Sequence, residues 1–137
     1  MILSSSDLYT YYRPSRCTLR VYLRHQGVPE SEPSPYEEVI RRLGIRHEIA
    51  HLETFEQYVD LSEGTLEEKC TATWREVRKG SPVVYQGVLR APIKFAKTEC
   101  EVVGVPDFLL KTKDGRYTIR DCKISRRITE RDHPEIL

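Results

Sequence analysis

Apolar positions recur at helical spacing through the first half of the chain and gather into strand-like runs in the second. The clearest helical signal begins at Tyr36, where Val39, Ile40, Leu43, Ile45, Ile49 and Leu52 return mostly every three or four residues amid charge. That pattern predicts one long helix with a single buried face. Gly44 falls inside it and weakens it, which implies a packing reason or the close approach of another backbone. Upstream, Ser4-Ser5-Ser6-Asp7 offers helix N-caps ahead of Leu8, Tyr11 and Tyr12. Pro14 interrupts that turn, and Cys17, Leu19, Val21, Tyr22 and Leu23 continue a helical stretch that stops near Gly27-Val28-Pro29. Residues 30–35, ESEPSP, read as a solvated loop.

Downstream, residues 55–61 predict a short strand or extended connection. Ser62 or Thr65 caps a helix over 66–79 that closes at Gly80, as a helix with a C-terminal glycine does. Strands follow over 83–89, 99–111 and 116–125, the last two joined by a tight turn at Asp114-Gly115. The expectation is one α/β domain over 1–137, with a helical part over 1–60 and a sheet core over 61–137.

Composition changes this picture little. At 137 residues, with 39% hydrophobic and 31% charged residues, the chain has the balance of a globular domain with a real core. The net charge of +1 announces no nucleic-acid binder. Clustering says more: Arg13, Arg16, Arg20 and Arg24; then Arg41, Arg42 and Arg46; then Arg120, Lys123, Arg126, Arg127 and Arg131. Such clusters serve phosphate contacts or are helix faces balanced by glutamates, and both readings stand for the first two. The opening segment lacks the basic and apolar regions of a signal peptide, and no run reaches the length of a membrane span. Cys17, Cys70, Cys100 and Cys122 lie far apart and read as thiols. A cytoplasmic location is expected.

The chemistry is concentrated in residues 101–125. A two-residue Asp-Gly turn would place Asp107 across from Cys122; a three-residue loop, Lys113-Asp114-Gly115 with a left-handed glycine, would place it across from Asp121. In the second register Asp121 and Lys123 share a strand face beside Asp107, with Tyr117 and Ile119 further along it. Two carboxylates and an ammonium would then converge in a mostly apolar setting, which is costly unless they are paired or metal-bound. Phosphodiester hydrolysis calls for that set. Carboxylate oxygens suit Mg²⁺ or Mn²⁺, and a lysine can position the attacking water and stabilise charge on the phosphoryl oxygens. A lone D-x-K is weak, since a solvated hairpin carries one equally well.

The longer string is more specific. Gly104-Val105-Pro106-Asp107, followed across the turn by Ile119-Arg120-Asp121-Cys122-Lys123, resembles motifs II and III of the RecB-like branch of the PD-(D/E)XK nucleases. The opening Ser6-Asp7-Leu8 with Cys17 and Leu23 looks like the start of RecB-like nucleases, the CRISPR-associated ones included. Residues 73–80 and Val83-Val84-Tyr85-Gln86-Gly87-Val88-Leu89 resemble the helix and first strand of bacterial RecB-like proteins. This resemblance implies a restriction-endonuclease-like core, a mixed central sheet flanked by helices, acting on DNA. It implies a third ligand in Gly44-Ile45-Arg46-His47-Glu48, where Glu48 matches an upstream G-x-x-x-[HE] pattern and His47 is the weaker candidate. Gln86 lies near the site in that scheme or is a polar edge residue.

Two departures qualify the resemblance. Relatives follow the D-x-K strand with a helix carrying Q-x-x-x-Y, and this sequence reaches Leu137 without one. The expectation is a fragment or one domain of a longer protein, with activity incomplete. Some relatives hold an iron–sulfur cluster through one early and three late cysteines; Cys17 matches the early position, no late trio exists, and Cys17 is expected to be a buried core thiol.

Two rival readings remain. His47-Glu48-Ile49-Ala50-His51 spells H-E-x-x-H, the zinc-peptidase signature. Glu53 stands where such helices keep an uncharged buried residue, no third ligand stands out downstream, and the Asp107–Asp121–Lys123 hairpin would go unexplained. The other rival is a non-catalytic nucleic-acid-binding or assembly module of the same fold.

Overall fold

The computed structural model describes residues 2–12, 17–95 and 98–124. Along the chain come β1 (Ile2–Ser4), α1 (Ser5–Tyr12), α2 (Thr18–His25), α3 (Pro35–Leu52), β2 (Val59–Asp60), α4 (Leu66–Lys79), β3 (Val83–Tyr85), β4 (Leu89–Phe95), β5 (Thr98–Gly104), β6 (Phe108–Lys111) and β7 (Tyr117–Arg120). The strands form two mixed sheets, in the orders β1-β5-β4 and β2-β3-β6-β7. In the first, β1 runs parallel to β5 and β4 antiparallel to it; in the second, β2 is parallel to β3 and the other pairs are antiparallel. The expected mixed α/β class is observed. The expected single central sheet is replaced by two among the described residues.

Local chemistry fixes the helix ends. Ser34 and Glu37 form a reciprocal capping box at the start of α3, with Pro35 at its first position, and Thr65 and Glu68 do the same for α4. Helix α4 stops at Gly80, whose N–H bonds the carbonyls of Glu76 and Val77 and whose φ of 80° turns the chain so that the Ser81 N–H also reaches the Glu76 carbonyl. Its inner face carries Thr73, fully buried, whose hydroxyl donates to the Lys69 carbonyl at 2.7 Å and accepts the Val88 N–H at 2.9 Å. Glu76 is also buried, bound by Lys79, Arg75 and Ser81.

Leu52, Val83 and Phe108 form a core cluster, with Phe55, Tyr85, Leu110 and Cys122 packed against it. The Phe108 ring meets those of His51, Phe55 and Tyr85 at centroid distances of 5.1, 5.6 and 5.4 Å. This cluster joins the end of α3 to the second sheet and lies against the candidate site.

Several expectations are corrected. The apolar positions of α3 do not form one buried face: Leu52 is buried, whereas Val39, Ile40, Leu43, Ile45 and Ile49 are exposed. Phase divides these positions into two stripes, and on the second of them Leu52 alone is buried. At about 100° per residue, Tyr36, Val39, Ile40 and Leu43 cluster on one side, and Ile45, Ile49 and Leu52 lie roughly half a turn away. Gly44 has a modest packing neighbour, since an added Cβ there would meet the Ile124 Cδ1 at 3.8 Å, ordinary contact.

The strand expected over 99–111 is broken at Val105-Pro106 into β5 and β6, which belong to different sheets; proline has no N–H to continue a ladder. The strand expected over 83–89 ends at Tyr85, because Gln86 takes a positive φ of 53°. Strands β1 and β4 were not expected, and β1 puts a strand at the start of the part expected to be mainly helical. Cys17 is exposed rather than a core thiol, and Cys100 is the buried one; none of the four cysteines is in a disulfide. Among the described residues no helix is long and apolar enough to cross a membrane. Pro14, Arg13, Arg16, Ser125, Arg126, Arg127 and Arg131 lie outside the described residues.

Candidate functional site

The β6–β7 hairpin sets the geometry. Thr112 donates its N–H to the Arg116 carbonyl at 2.8 Å, and Gly115, with φ of 82°, donates to the Thr112 carbonyl at 3.0 Å. This is the three-residue loop of the two alternatives. The Thr112 hydroxyl, bonded to Asp114, braces it. Pairing then runs from Lys111 opposite Tyr117 to Phe108 opposite Arg120, so the next residues outward are Asp107 and Asp121.

There the two arms of the hairpin exchange side-chain contacts instead of ladder bonds. The Asp107 N–H points to Asp121 Oδ1 at 3.4 Å, and the Cys122 N–H donates to Asp107 Oδ2 at 2.6 Å. Lys123 Nζ lies 3.8 Å from Asp121 Oδ2. Asp107 is half-buried over the core, whereas the Asp121 and Lys123 side chains retain 39% and 36% of their exposure. The mostly apolar setting expected for all three therefore holds on one side only. Tyr117 turns its hydroxyl to the Ser81 carbonyl at 2.7 Å, and Ile119 is exposed.

Glu48 reaches this group from α3. Its Oε1 accepts a hydrogen bond from Gln86 Nε2, and Gln86 donates its own N–H to the Asp107 carbonyl at 2.9 Å. Tyr85 lies beside Glu48; burial first, then its hydrogen bond to Glu48 and the charges of Glu48, Asp60 and Asp107, push its phenol up to about 12. Asp107 is itself raised above the ordinary carboxyl range. Burial is the main cause, and the charges of Glu48 and Asp121 add to it, against the Cys122 N–H and the Lys123 ammonium. The Cys122 thiol is raised by burial and by the same three carboxylates.

Thus Glu48, Asp107, Asp121 and Lys123 share one electrostatic neighbourhood. His47 is exposed on α3. His51 is held otherwise: its ring makes edge contacts with Phe55 and Phe108, and its Nε2 lies 3.4 Å from Arg120 Nη1. The H-E-x-x-H histidines thus have one partner in the core wall and one in solvent.

Three carboxylates drawn together with one ammonium are chemically suited to a hard divalent cation. Their spacing is looser than a coordination shell: among the described residues no three His, Cys, Asp or Glu side chains lie close enough together to hold an ion. The donor types fit such an ion, and closure on it would require the side chains to turn inward.

Sequence reasoning passed over Tyr85 as a neighbour of Glu48 and His51 as an aromatic contact. A usable signal for the first lay in Tyr85-Gln86-Gly87. A Cβ on Gly87 would stand 3.1 and 3.2 Å from Thr73 atoms and 3.3 Å from Leu109, so a glycine there marks a tightly seated turn under the site. The chain matches no protein-family model, no curated protein and no solved structure.

Proposed function

We propose that this chain is a metal-dependent nuclease domain of the RecB-like PD-(D/E)XK kind, hydrolysing DNA phosphodiester bonds. The observation that carries this reading is the gathering of Glu48, Asp121 and Lys123 around Asp107, a half-buried carboxyl whose like-charged neighbours oppose its ionisation. Glu48, Asp107 and Asp121 would hold Mg²⁺ or Mn²⁺, which when bound polarises a phosphoryl oxygen and acidifies a water. Lys123 lies just beyond the end of β7, beside Asp121, where its ammonium can orient the attacking water and offset charge on the phosphoryl oxygens. The Cys122 N–H orients Asp107 by holding one of its oxygens.

The looser spacing of the carboxylates favours one alternative, a module of the same fold that binds nucleic acid without cleaving it. An assay of single- and double-stranded DNA with Mg²⁺ or Mn²⁺, against a chelator control, separates the two. Metal-dependent cleavage supports the nuclease; binding without cleavage supports the module. A zinc peptidase would instead purify with one equivalent of zinc, which elemental analysis reads directly.

A further inference from the structure

We infer that Gln86 is a positioning residue of this site, a strained brace that fixes Glu48 relative to Asp107. The inference rests on the nuclease reading and deepens it. Gln86 is the non-glycine residue with positive φ among the described residues, at 53°. Side chains rarely adopt that backbone, and such strain persists where surrounding structure enforces it and a site uses it.

Both enforcement and use are visible. On the enforcing side, the Gln86 N–H is tied to the Asp107 carbonyl at 2.9 Å. Gly87 is wedged against Thr73 and Leu109, and the Val88 N–H is held by the buried Thr73 hydroxyl at 2.9 Å. On the using side, the turn ends β3 and swings the amide across to α3, where Nε2 donates to Glu48 Oε1. An extended residue at position 86 would continue the strand. One residue therefore bonds the carbonyl of one acidic position and the carboxylate of another.

Packing does little to fix the Glu48 rotamer, since the neighbouring apolar residues Ile45 and Ile49 on its helix are exposed. Hydrogen bonds hold it instead: Gln86 on one side, the Tyr85 hydroxyl on the other, of which Gln86 alone also ties to Asp107. Hydrogen bonds to ligating carboxylates orient them, and losing one typically weakens metal binding by about 10–100-fold.

The test is Mn²⁺ titration by calorimetry, with thermal melting of the metal-free protein, on the wild type, Gln86→Gly and Gln86→Asn. Glycine and asparagine both tolerate the left-handed backbone, and neither reaches Glu48. The expected result is Mn²⁺ affinity about 10–100-fold weaker in both variants, with melting temperatures close to wild type. Wild-type affinity in both variants overturns the positioning role and leaves the nuclease reading intact. A melting temperature that falls in step with affinity also overturns it, since Gln86 would then be structural. A wild type that neither binds Mn²⁺ nor cleaves DNA overturns the nuclease reading and this inference with it.

Discussion

Asp7 and Asp107 are both carboxylates drawn out of water, and the fold treats them in opposite ways. Asp7, 4% exposed, accepts the Ser4 N–H at 2.9 Å and hydroxyl at 2.8 Å and pairs with Arg24 at 2.9 Å and His25 at 3.4 Å. Burial raises its pKa, but the Ser4 and Arg24 hydrogen bonds and the His25 charge outweigh that, and the net shift is downward. Asp107 has one backbone donor and a more distant ammonium, and it faces two further carboxylates, so its net shift is upward. The first cluster is settled internally and ties α1 to α2. The second leaves negative charge in excess, which under the proposed function a bound cation would offset.

The comparison breaks most sharply at the site. Asp121→Ala and Lys123→Ala should each lower metal-dependent DNA cleavage by about 100-fold or more, with unchanged circular dichroism. Asp7→Ala should act on the fold instead, costing about 3 kcal/mol in a denaturant titration because it strips Arg24 and Ser4 of a buried partner.

A pH series sharpens the contrast. A lowered carboxyl such as Asp7 contributes stability above its unfolded value, lost as pH falls through its folded value; a raised one such as Asp107 contributes below its unfolded value and loses it as pH rises through the folded value. In chelator, Asp107→Asn should therefore melt higher than wild type by a margin that grows from about pH 4 to pH 7. Mn²⁺ should raise the melting temperature of the wild type but not of this variant.

Two glycines give the smallest effects, of opposite sign. Gly115→Ala should cost about 1–2 kcal/mol, because its φ of 82° is left-handed although its surroundings are open. Gly44→Ala should stabilise by about 0.5–1 kcal/mol, since α3 is regular there and the Ile124 contact is ordinary.

What the sequence disclosed follows a physical division between local and distant interactions. The ends of α4 were readable because Thr65, Glu68 and Gly80 act on backbone a few residues away. The turn at Gly115 narrowed the hairpin to two registers, one of which sets Asp107 against Asp121. The parallel pairing of β1 with β5 depends on partners distant in the chain, Ile2 lying opposite Glu101. The exposed positions of α3 show the same limit: periodicity suggested a face, but counting spacing without phase merged two stripes into one. Glu48 was named from its motif, whereas its bond to Gln86 joins positions 38 residues apart and left no local mark.

The central claim is that Glu48, Asp107 and Asp121 form one cation site. Anomalous scattering from crystals soaked in Mn²⁺ tests it most directly. The account predicts a single strong peak within coordination distance of carboxylate oxygens from all three residues, beside Lys123. A peak at His47 and His51, or no peak at Asp107 and Asp121, would contradict it.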